Sequence, residues 1–349
     1  PGLAPRREIF GWAMFDFANQ AYTLLIISVV FNELFTTVIV GDRGDGYRLG
    51  NLLWSLSLSL SYLIVVVAAP LCGAVMDYTA SKKRFLFASY LLTVIATGLL
   101  YFVEPGAIAL AMLLLVLSNV AYSLGEAFIA SFLPGLGPHE SLGSISGFGW
   151  ALGYVGGLCA AGFTLAVLGP VSLENFDRIR WVGPFAGLFF LIAAIPTFVW
   201  LRERATGLQR PVGIGYTTIA WRRLRMTWQE LGRFRDLVVF LVSVFFMMAG
   251  IYIIIAFAFI YGAQVIGWSE TVRNLMFIIV QVTAAAGALG FGLMQHRLGA
   301  KPTYLLTLGL WVIAIVAIQA TPTLSRLLSG LTGQPVEAQQ WPHEGDQGE

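Results

Sequence analysis

Long apolar runs, separated by short polar segments, dominate the pattern along this chain. A helix needs about 20 predominantly apolar residues to cross a bilayer, and nine runs approach or exceed that length. Their apolar residues are continuous rather than alternating, which favours helices over barrel strands. The pattern therefore predicts an all-α polytopic membrane protein with nine membrane-spanning helices, at residues 11–40, 51–76, 85–103, 107–133, 145–169, 181–201, 237–266, 271–295 and 303–320.

The composition supports this class. Hydrophobic residues make up 57% of the 349 residues and charged residues only 11%, whereas soluble domains are roughly 25% charged. Cys72 and Cys159 lie inside apolar runs, a setting that favours neither a disulfide nor a metal site. The three histidines lie in loops or the tail, and no phosphate-binding loop or nucleophile elbow occurs. We therefore expect no cofactor, no metal and no enzymatic activity.

The distribution of Lys and Arg predicts the orientation. If the N-terminus is cytoplasmic, 15 of the 21 basic residues fall in cytoplasmic loops, eight of them arginines between 202 and 235. Positively charged loops are retained in the cytoplasm. We therefore expect a cytoplasmic N-terminus, in a multi-pass protein that is a monomer in the inner membrane of a bacterial cell.

The basic segment 202–236 contains an amphipathic pattern. One helical face of residues 219–233 would carry Trp221, Leu224, Trp228 and Leu231, with arginines off that face. This spacing favours a short helix lying in the cytoplasmic membrane interface. The alternative is a solvated basic linker. Nucleic-acid binding is a poor interpretation, because the orientation already accounts for the arginines.

An internal repeat indicates two related halves. "GAVMDYTASKKR" (73–84) and "GLMQHRLGAKP" (292–302) both follow a span and open the next one, with Gly73, Asp77 and Lys82 matching Gly292, His296 and Lys301. Internal halves of this kind are typical of transporters. The predicted organisation is a six-helix half (1–201), the basic linker (202–236), three helices of a second half (237–320) and a polar tail (321–349) typical of disorder.

The repeated segment resembles the loop motif of the major facilitator superfamily, G-x-x-x-D-R-x-G-R-K. The first copy has Tyr78, Ala80 and Ser81 where Arg, Gly and Arg are usual, and the second has His296 for Asp. The resemblance implies a cytoplasmic gate formed by the two loops, whose candidate residues are Gly73, Asp77, Lys82, Arg84, Gly292, His296, Arg297, Gly299 and Lys301.

Further stretches are similar to the vacuole-effluxer-like branch of that superfamily. "GWAMFDFANQAY" (11–22) resembles its opening motif, "FLPGLGPHESLGSISGFGWALGYVGG" (132–157) its entry into span five, and "AFIYGAQVIG" with Gln281 its later spans. The resemblance implies twelve spans, of which the last three are not found, and Asp77 is expected to contact one of those three. It also implies export of amino acids, by analogy with eukaryotic relatives.

Acidic residues inside the apolar runs are the strongest chemical signal. Asp16 heads a polar stripe on span one, and Glu126 ends a stripe on span four, at a similar depth from the cytoplasmic side. An acid at the bilayer centre costs about 2.5–3.5 kcal/mol, so each must face water, lie near an interface or be protonated. The stripes comprise Asp16, Asn19, Gln20 and Thr23 on one helix, and Asn119, Tyr122, Ser123 and Glu126 on the other.

These stripes predict a water-filled path for substrate or protons between spans one and four, which the resemblance also implies. The alternative for Asp16 is a helix end at the headgroups, and for Glu33, near the outer end of span one, the interfacial interpretation is favoured. Gly149, Gly153 and Gly157 at spacing four favour tight packing of span five. Trp150, Tyr154 and Gln281 complete the candidate substrate contacts.

The sequence thus favours a secondary transporter that moves a small polar solute, with amino acids and a coupling proton as the expected cargo. The partners expected are that solute and the lipid bilayer. Two alternatives stay open: a non-transporting remnant or membrane interaction protein, because three spans are not found, and a lipid-acting membrane enzyme, which lacks a visible catalytic motif.

Overall fold

The computed structural model describes residues 2–44, 46–204, 215–264 and 270–332. This part of the chain is a bundle of long helices, without a strand. It contains nine segments long and apolar enough to cross a membrane, which confirms the predicted fold class. We number these segments as spans one to nine in chain order.

Span one (Arg6–Val40) is a composite of two α-helices and two π-helical stretches, and the other spans are more regular. The helices are α1 (Arg6–Ala21) and α2 (Val30–Leu34) in span one, α3 (Arg48–Thr79, span two), α4 (Lys82–Leu99, span three), α5 (Ile108–Ala130, span four), α6 (His139–Val167, span five), α7 (Phe176–Ile179), α8 (Val182–Ala193) and α9 (Ile195–Trp200) in span six, α10 (Tyr216–Glu230), α11 (Arg235–Gln264, span seven), α12 (Glu270–Leu298, span eight) and α13 (Ala300–Thr332, span nine).

The last helix is longer than the sequence pattern predicted. We expected span nine to end at 320 and a disordered tail to follow. The membrane-length segment ends at Ala317, but the helix itself continues to Thr332. The reason is visible in "TLSRLLSGLT", where four leucines keep the i, i+3, i+4, i+7 spacing of a helix. Residues 333–349 of the predicted tail lie outside the described residues.

Span one changes its helical pitch halfway along. After α1, residues Tyr22–Ser28 form a π-helical stretch, in which the Val29 N–H donates to the Leu24 carbonyl at 2.9 Å. Val29 leaves helical geometry (φ −121°, ψ −65°) before α2 begins. π-helical turns inside α-helices are frequent at functional sites, and this one contains Thr23, the last residue of the polar stripe of span one.

Two apolar clusters form the core of the first half, one toward each end of the bundle. The cluster at the end where span one begins is built around Trp12, Phe15, Leu86, Phe128 and Phe190. The cluster at the opposite end is built around Tyr22, Phe31, Phe35, Trp54 and Leu115. The clusters meet span one on either side of Asn19, so the polar stripe lies at the junction between them.

The helix contacts place span one in the middle of the first half. It packs against spans five and six, span three packs against spans four and six, and span two packs against span four. The second half joins the first chiefly through span eight, which lies along span five. Span one is the most buried of the described spans, whereas spans seven to nine bury few side chains.

Glycines set the closest approaches between these helices. A Cβ atom placed at Gly11 would lie 2.9 Å from the Pro196 carbonyl oxygen, and one at Gly183 would lie 2.6 Å from the Thr97 carbonyl oxygen. At Gly156 it would overlap the Phe17 carbonyl oxygen. Lipid provides no hydrophobic force between helices, so packing of this kind is a main source of their association.

A buried ion pair ties the end of span six to the start of span one. The Glu8 side chain is only 2% exposed and accepts two hydrogen bonds from Arg204, at 2.7 Å (Nη1 to Oε1) and 2.6 Å (Nη2 to Oε2). Arg204 Nη1 also donates to the Gly135 carbonyl at the end of span four, at 3.2 Å. One side chain therefore connects three spans at this end of the bundle.

The amphipathic segment of the basic linker contains helix α10, which contacts α3. It begins three residues earlier than the predicted 219–233 and passes into a tight helical turn at Leu231–Phe234. Trp221 is exposed and Ile219 is buried, while the side chains of Leu224 and Trp228 lie outside the described part. Placement of α10 on the membrane surface stays a prediction, as do the domain boundaries.

The first testable prediction concerns the contact between spans one and five. Gly156→Ala adds a methyl group against the Phe17 carbonyl, and we expect it to destabilise the protein by about 1–3 kcal/mol because a packed interface has no room to relax. The measurement is the midpoint of thermal unfolding in detergent. The control is Gly162→Ala in the same helix, where a Cβ atom would meet nothing within 4 Å. Equal midpoints for the two variants would contradict the packing described.

The second prediction concerns the Glu8–Arg204 pair. Arg204→Ala leaves the Glu8 carboxylate buried without its charged donor, and we expect a loss of about 2 kcal/mol, the scale of hydrogen bonds to charged groups. Arg202→Ala is the matched control, because the exposed Arg202 contributes only its backbone N–H to Glu8, at 3.3 Å. If both variants unfold at the same temperature, the pair does not stabilise the bundle.

Candidate functional site

The polar stripe of span one and the polar stripe of span four face each other at the junction of the two apolar clusters. Asn19 lies at their centre and is almost completely buried, at 1% exposure. Asp16, Gln20 and Thr23 flank it at helical spacing and are half-buried. Local sequence produces this arrangement, because residues at i, i+3, i+4 and i+7 share one side of a helix.

Asn19 and Glu126 form the central contact. The Asn19 amide Nδ2 donates to the Glu126 carboxyl oxygen Oε1. Asp16 lies close enough to Glu126 for the two carboxyl groups to interact electrostatically. Within the described residues neither acid forms a salt bridge. Two carboxyl groups that interact in this way, without a cation, favour a bound proton on one of them or a positively charged group from a solute.

A series of hydroxyl contacts continues from this centre, away from the end of the bundle where span one begins. The Thr23 and Tyr122 hydroxyls lie 2.8 Å apart, and the Tyr22 and Ser118 hydroxyls 2.9 Å apart. The rings of Tyr22 and Tyr122 stack with centroids 4.7 Å apart. The contacts between spans one and four therefore stay polar for about two helical turns beyond Glu126.

Asn119 belongs to the same helix face but contacts a different neighbour. Its amide donates to the Ser61 hydroxyl of span two, at 2.6 Å, and both residues are buried. Ser123 is half-buried on the adjacent side of span four. The predicted stripe of span four is thus divided between span one, which Tyr122 and Glu126 contact, and span two.

The glycines of span five line the other side of the site. A Cβ atom at Gly149 would lie 2.6 Å from Asp16 Oδ2, and one at Gly153 would lie 3.4 Å from the Gln20 side chain. The spacing of four was predicted to serve packing, and this face indeed packs closely on span one. The same contacts place the span-five backbone directly beside the polar stripe.

Gln281 brings the second half to the same place. A Cβ atom at Gly157 would lie 3.1 Å from Gln281 Nε2 and 3.9 Å from the Gln20 Cβ atom. Gln281 is 9% exposed, which is unusual for an amide on an apolar helix. Trp150 and Tyr154 have ring centroids 6.3 Å apart and are more exposed than Gln281. Trp150 is 55% exposed and Tyr154 is half-buried.

The second copy of the loop motif lies at the contact between spans five and eight. Ser144 Oγ donates to the Gly292 carbonyl at 3.1 Å, and His296 Nδ1 lies 2.8 Å from the Glu140 carbonyl at the start of span five. A Cβ atom at Gly292 would lie 2.8 Å from the Gly143 carbonyl oxygen. Spans five and eight, one from each half, are therefore in direct contact at this end of the bundle.

The remaining motif residues have different surroundings. Gly299 joins α12 to α13 with φ +87°, which only glycine adopts without strain, and Arg297 and Lys301 are exposed around it. In the first copy, Asp77 is exposed at the end of α3 and Gly73 faces open space. Lys82 begins α4, and its N–H donates to the Glu203 carboxylate at 2.6 Å. Arg84 is exposed two residues further along.

Sequence reasoning missed three side-chain contacts. Glu8 directly follows Arg6 and Arg7, before the first predicted span, where an acidic residue does not indicate a buried contact. Glu203 lies in the basic linker and caps a helix that starts more than a hundred residues earlier. The contact of Ser61 could have been anticipated, because Ser57 and Ser61 in "SLSLSLSY" are four residues apart and share one helical face. The structure shows that both side chains are buried.

Comparison with known proteins identifies relatives over most of the chain. A bacterial relative is an uncharacterized MFS-type transporter, YxiO, of Bacillus subtilis, which is 24% identical over 318 residues, covering 88% of this chain and 72% of that protein. Two fungal relatives are Autophagy-related protein 22-1 of Penicillium rubens and Autophagy-related protein 22 of Coccidioides immitis. Their identities are 21% and 22%, over 69% and 71% of this chain. The matched part spans about half the length of these fungal proteins.

No solved structure matches this chain. The family model described as "Vacuole effluxer Atg22 like" matches residues 53–324. That range includes the 132–157 motif but not the opening motif at 11–22. Because the match covers well over half of the chain, the protein belongs to the Atg22-like vacuole effluxer family.

Proposed function

We propose that this protein is a secondary active transporter that moves a small polar solute across the membrane by alternating access. The observation that carries the proposal is the buried pair of Asn19 and Glu126, with Asp16 beside it. Such groups are costly inside a membrane and mark substrate or proton pathways. They lie between spans of the first half, and Gln20 of the same stripe lies beside Gly157, which Gln281 of the second half also approaches. A solute at this stripe would therefore be able to contact both halves.

The residues divide into two chemical roles. Asp16 and Glu126 carry a coupling proton or bind the positively charged group of the solute. Asn19, Gln20 and Gln281 donate and accept hydrogen bonds through their amides and orient it. Amino acids, the class implied by the family resemblance, have both an ammonium and a carboxylate group and suit this arrangement. They are the first substrates to test, in the direction of efflux.

The contact between spans five and eight serves as the cytoplasmic gate in this proposal. Ser144, His296 and the glycines around Gly292 hold the two halves together at one end. Alternating access requires that this contact opens while the opposite end closes. The excess of arginines near the same end supports its placement on the cytoplasmic side of a bacterial inner membrane. The names of the relatives, an MFS-type transporter and a vacuole effluxer family, support transport rather than catalysis.

The third prediction tests the carboxyl pair. Glu126→Gln keeps an oxygen that can accept from Asn19 but removes the charge, and Asp16→Asn does the same at its position. We expect each to lower transport by about tenfold or more, the scale of one charge-assisted hydrogen bond, without changing the amount of folded protein. The measurement is uptake of a radiolabelled amino-acid panel into proteoliposomes that contain the full chain, with and without a proton gradient.

Glu33→Gln is the matched control, because Glu33 is an exposed acid of the same span and should leave transport unchanged. Loss of proton-driven uptake with retained exchange would identify a proton carrier. Normal transport by the Asp16→Asn and Glu126→Gln double variant would contradict the proposed site. Absence of transport by the unmodified chain, for every solute tested, would favour a non-transporting membrane protein.

The fourth prediction tests the gate. Gly147 packs so closely on the Ala288 carbonyl that a side chain there must separate spans five and eight. In a background with Cys72→Ser and Cys159→Ser, we expect Gly147→Val to speed the labelling of Ser123→Cys by an impermeant maleimide added to the cytoplasmic face. Gly162→Val, which meets open space, is the control. Equal labelling rates would contradict the gate, and faster labelling from the opposite face only would contradict the orientation.

A further inference from the structure

A separate cleft opens on the side of the first half, between the start of span three and the end of span six. Its volume is about 450 Å³, and its lining residues are Lys83, Arg84, Phe87, Phe198 and Glu203. None of them belongs to the carboxyl site between spans one and four. The cleft lies at the end of the bundle where the basic linker follows span six.

The loop after span six fixes the shape of this cleft. The Glu203 carboxylate accepts from the backbone N–H groups of Lys82 and Lys83, at 2.6 and 3.3 Å, and so caps the start of α4. The Lys83 ammonium donates to the Leu201 carbonyl at 2.6 Å. Glu203 thus directs its negative charge at the helix start, and Lys83 keeps two N–H groups for another partner.

Aromatic rings form the apolar side of the cleft. Phe87 and Phe198 meet edge to face with centroids 5.3 Å apart, and Tyr90 packs on Phe198 at 4.8 Å. The Tyr90 hydroxyl donates to the Leu191 carbonyl at 2.7 Å, which fixes the ring cluster against span six. Phe87 is 48% exposed although it lies inside a membrane span, so its ring faces the lipid.

We infer that this cleft binds the headgroup of an anionic phospholipid. Lys83 and Arg84 contact the phosphate, for which a guanidinium group offers paired donors. Phe87 and Phe198 contact the first carbons of the acyl chains. Basic pockets between spans on the cytoplasmic side suit such lipids. A lipid fits better than a free anion because the phenyl rings continue from the basic rim into the hydrocarbon region, where only an amphipathic ligand reaches both.

The test is lipid retention by the purified full chain, measured by native mass spectrometry after titration with phosphatidylglycerol or phosphatidylcholine. We expect the unmodified protein to retain phosphatidylglycerol preferentially. Arg84→Gln should weaken that binding about fivefold, the equivalent of about 1 kcal/mol for one basic residue at the membrane surface. Adding Lys83→Gln should weaken it further by a similar factor. Arg84→Gln alone keeps the test valid if loss of the Lys83–Leu201 bond impairs folding.

The control is Arg6→Gln with Arg7→Gln, which removes two exposed charges from the same end of the bundle and should leave retention unchanged. Equal retention of the two lipids, or equal loss in the control and in the cleft variants, would overturn the inference. Displacement of phosphatidylglycerol by millimolar inorganic phosphate would assign the cleft to a soluble anion instead and would also overturn it. The result is independent of transport, because it measures binding alone.

Discussion

The interior of a bilayer contains no water, so a carboxyl group placed there needs polar partners from the protein itself. Glu126 finds one in the amide of Asn19, and this single contact constrains much of the first half. It fixes the rotation of span one relative to span four, because only one side of each helix carries a suitable group. The hydroxyl pairs of Thr23 with Tyr122 and of Tyr22 with Ser118 follow from that rotation at the next turns. The same rotation turns Asp16 and Gln20 toward span five, where side chains would leave them no room.

Glycines in span five provide the room that Asp16 and Gln20 need. Since lipid gives helices no reason to associate through apolar surface alone, close contact of backbones has to supply the attraction. Gly149, Gly153 and Gly157 bring span five against the polar stripe, while Gly156 brings it against the backbone at Phe17. Nearer the start of the same helix, Gly143 and Gly147 bring it against span eight. Span five therefore contacts both halves: one part of it packs against the polar groups of the first half, and the other part packs against the second half.

The sequence predicted the spans well, because apolar length and helical spacing are properties of a single segment. It also predicted which residues of span one share a side, since Asp16, Asn19 and Thr23 follow the helical repeat. It could not predict that Asn19 is the partner of Glu126, because that depends on which helices become neighbours and on their rotation. The Glu8–Arg204 pair was out of reach for the same reason, as its members are 196 residues apart. The start of the tail was wrong, because polar residues between the leucines concealed a helical repeat that α13 follows to Thr332.

The π-helical stretch at Tyr22–Ser28 has a consequence for how this protein tolerates change over evolution. In a regular α-helix each residue advances the rotation by about 100°, so one inserted or deleted residue would turn everything beyond it to a new direction. A π-helical turn holds an additional residue and can release it. This stretch therefore absorbs such a shift between two parts of span one. The part before it carries Asp16 and Asn19, and the part after it carries Phe31 and Phe35. Homologous chains can differ in length here and still keep the acid and the amide aimed at span four.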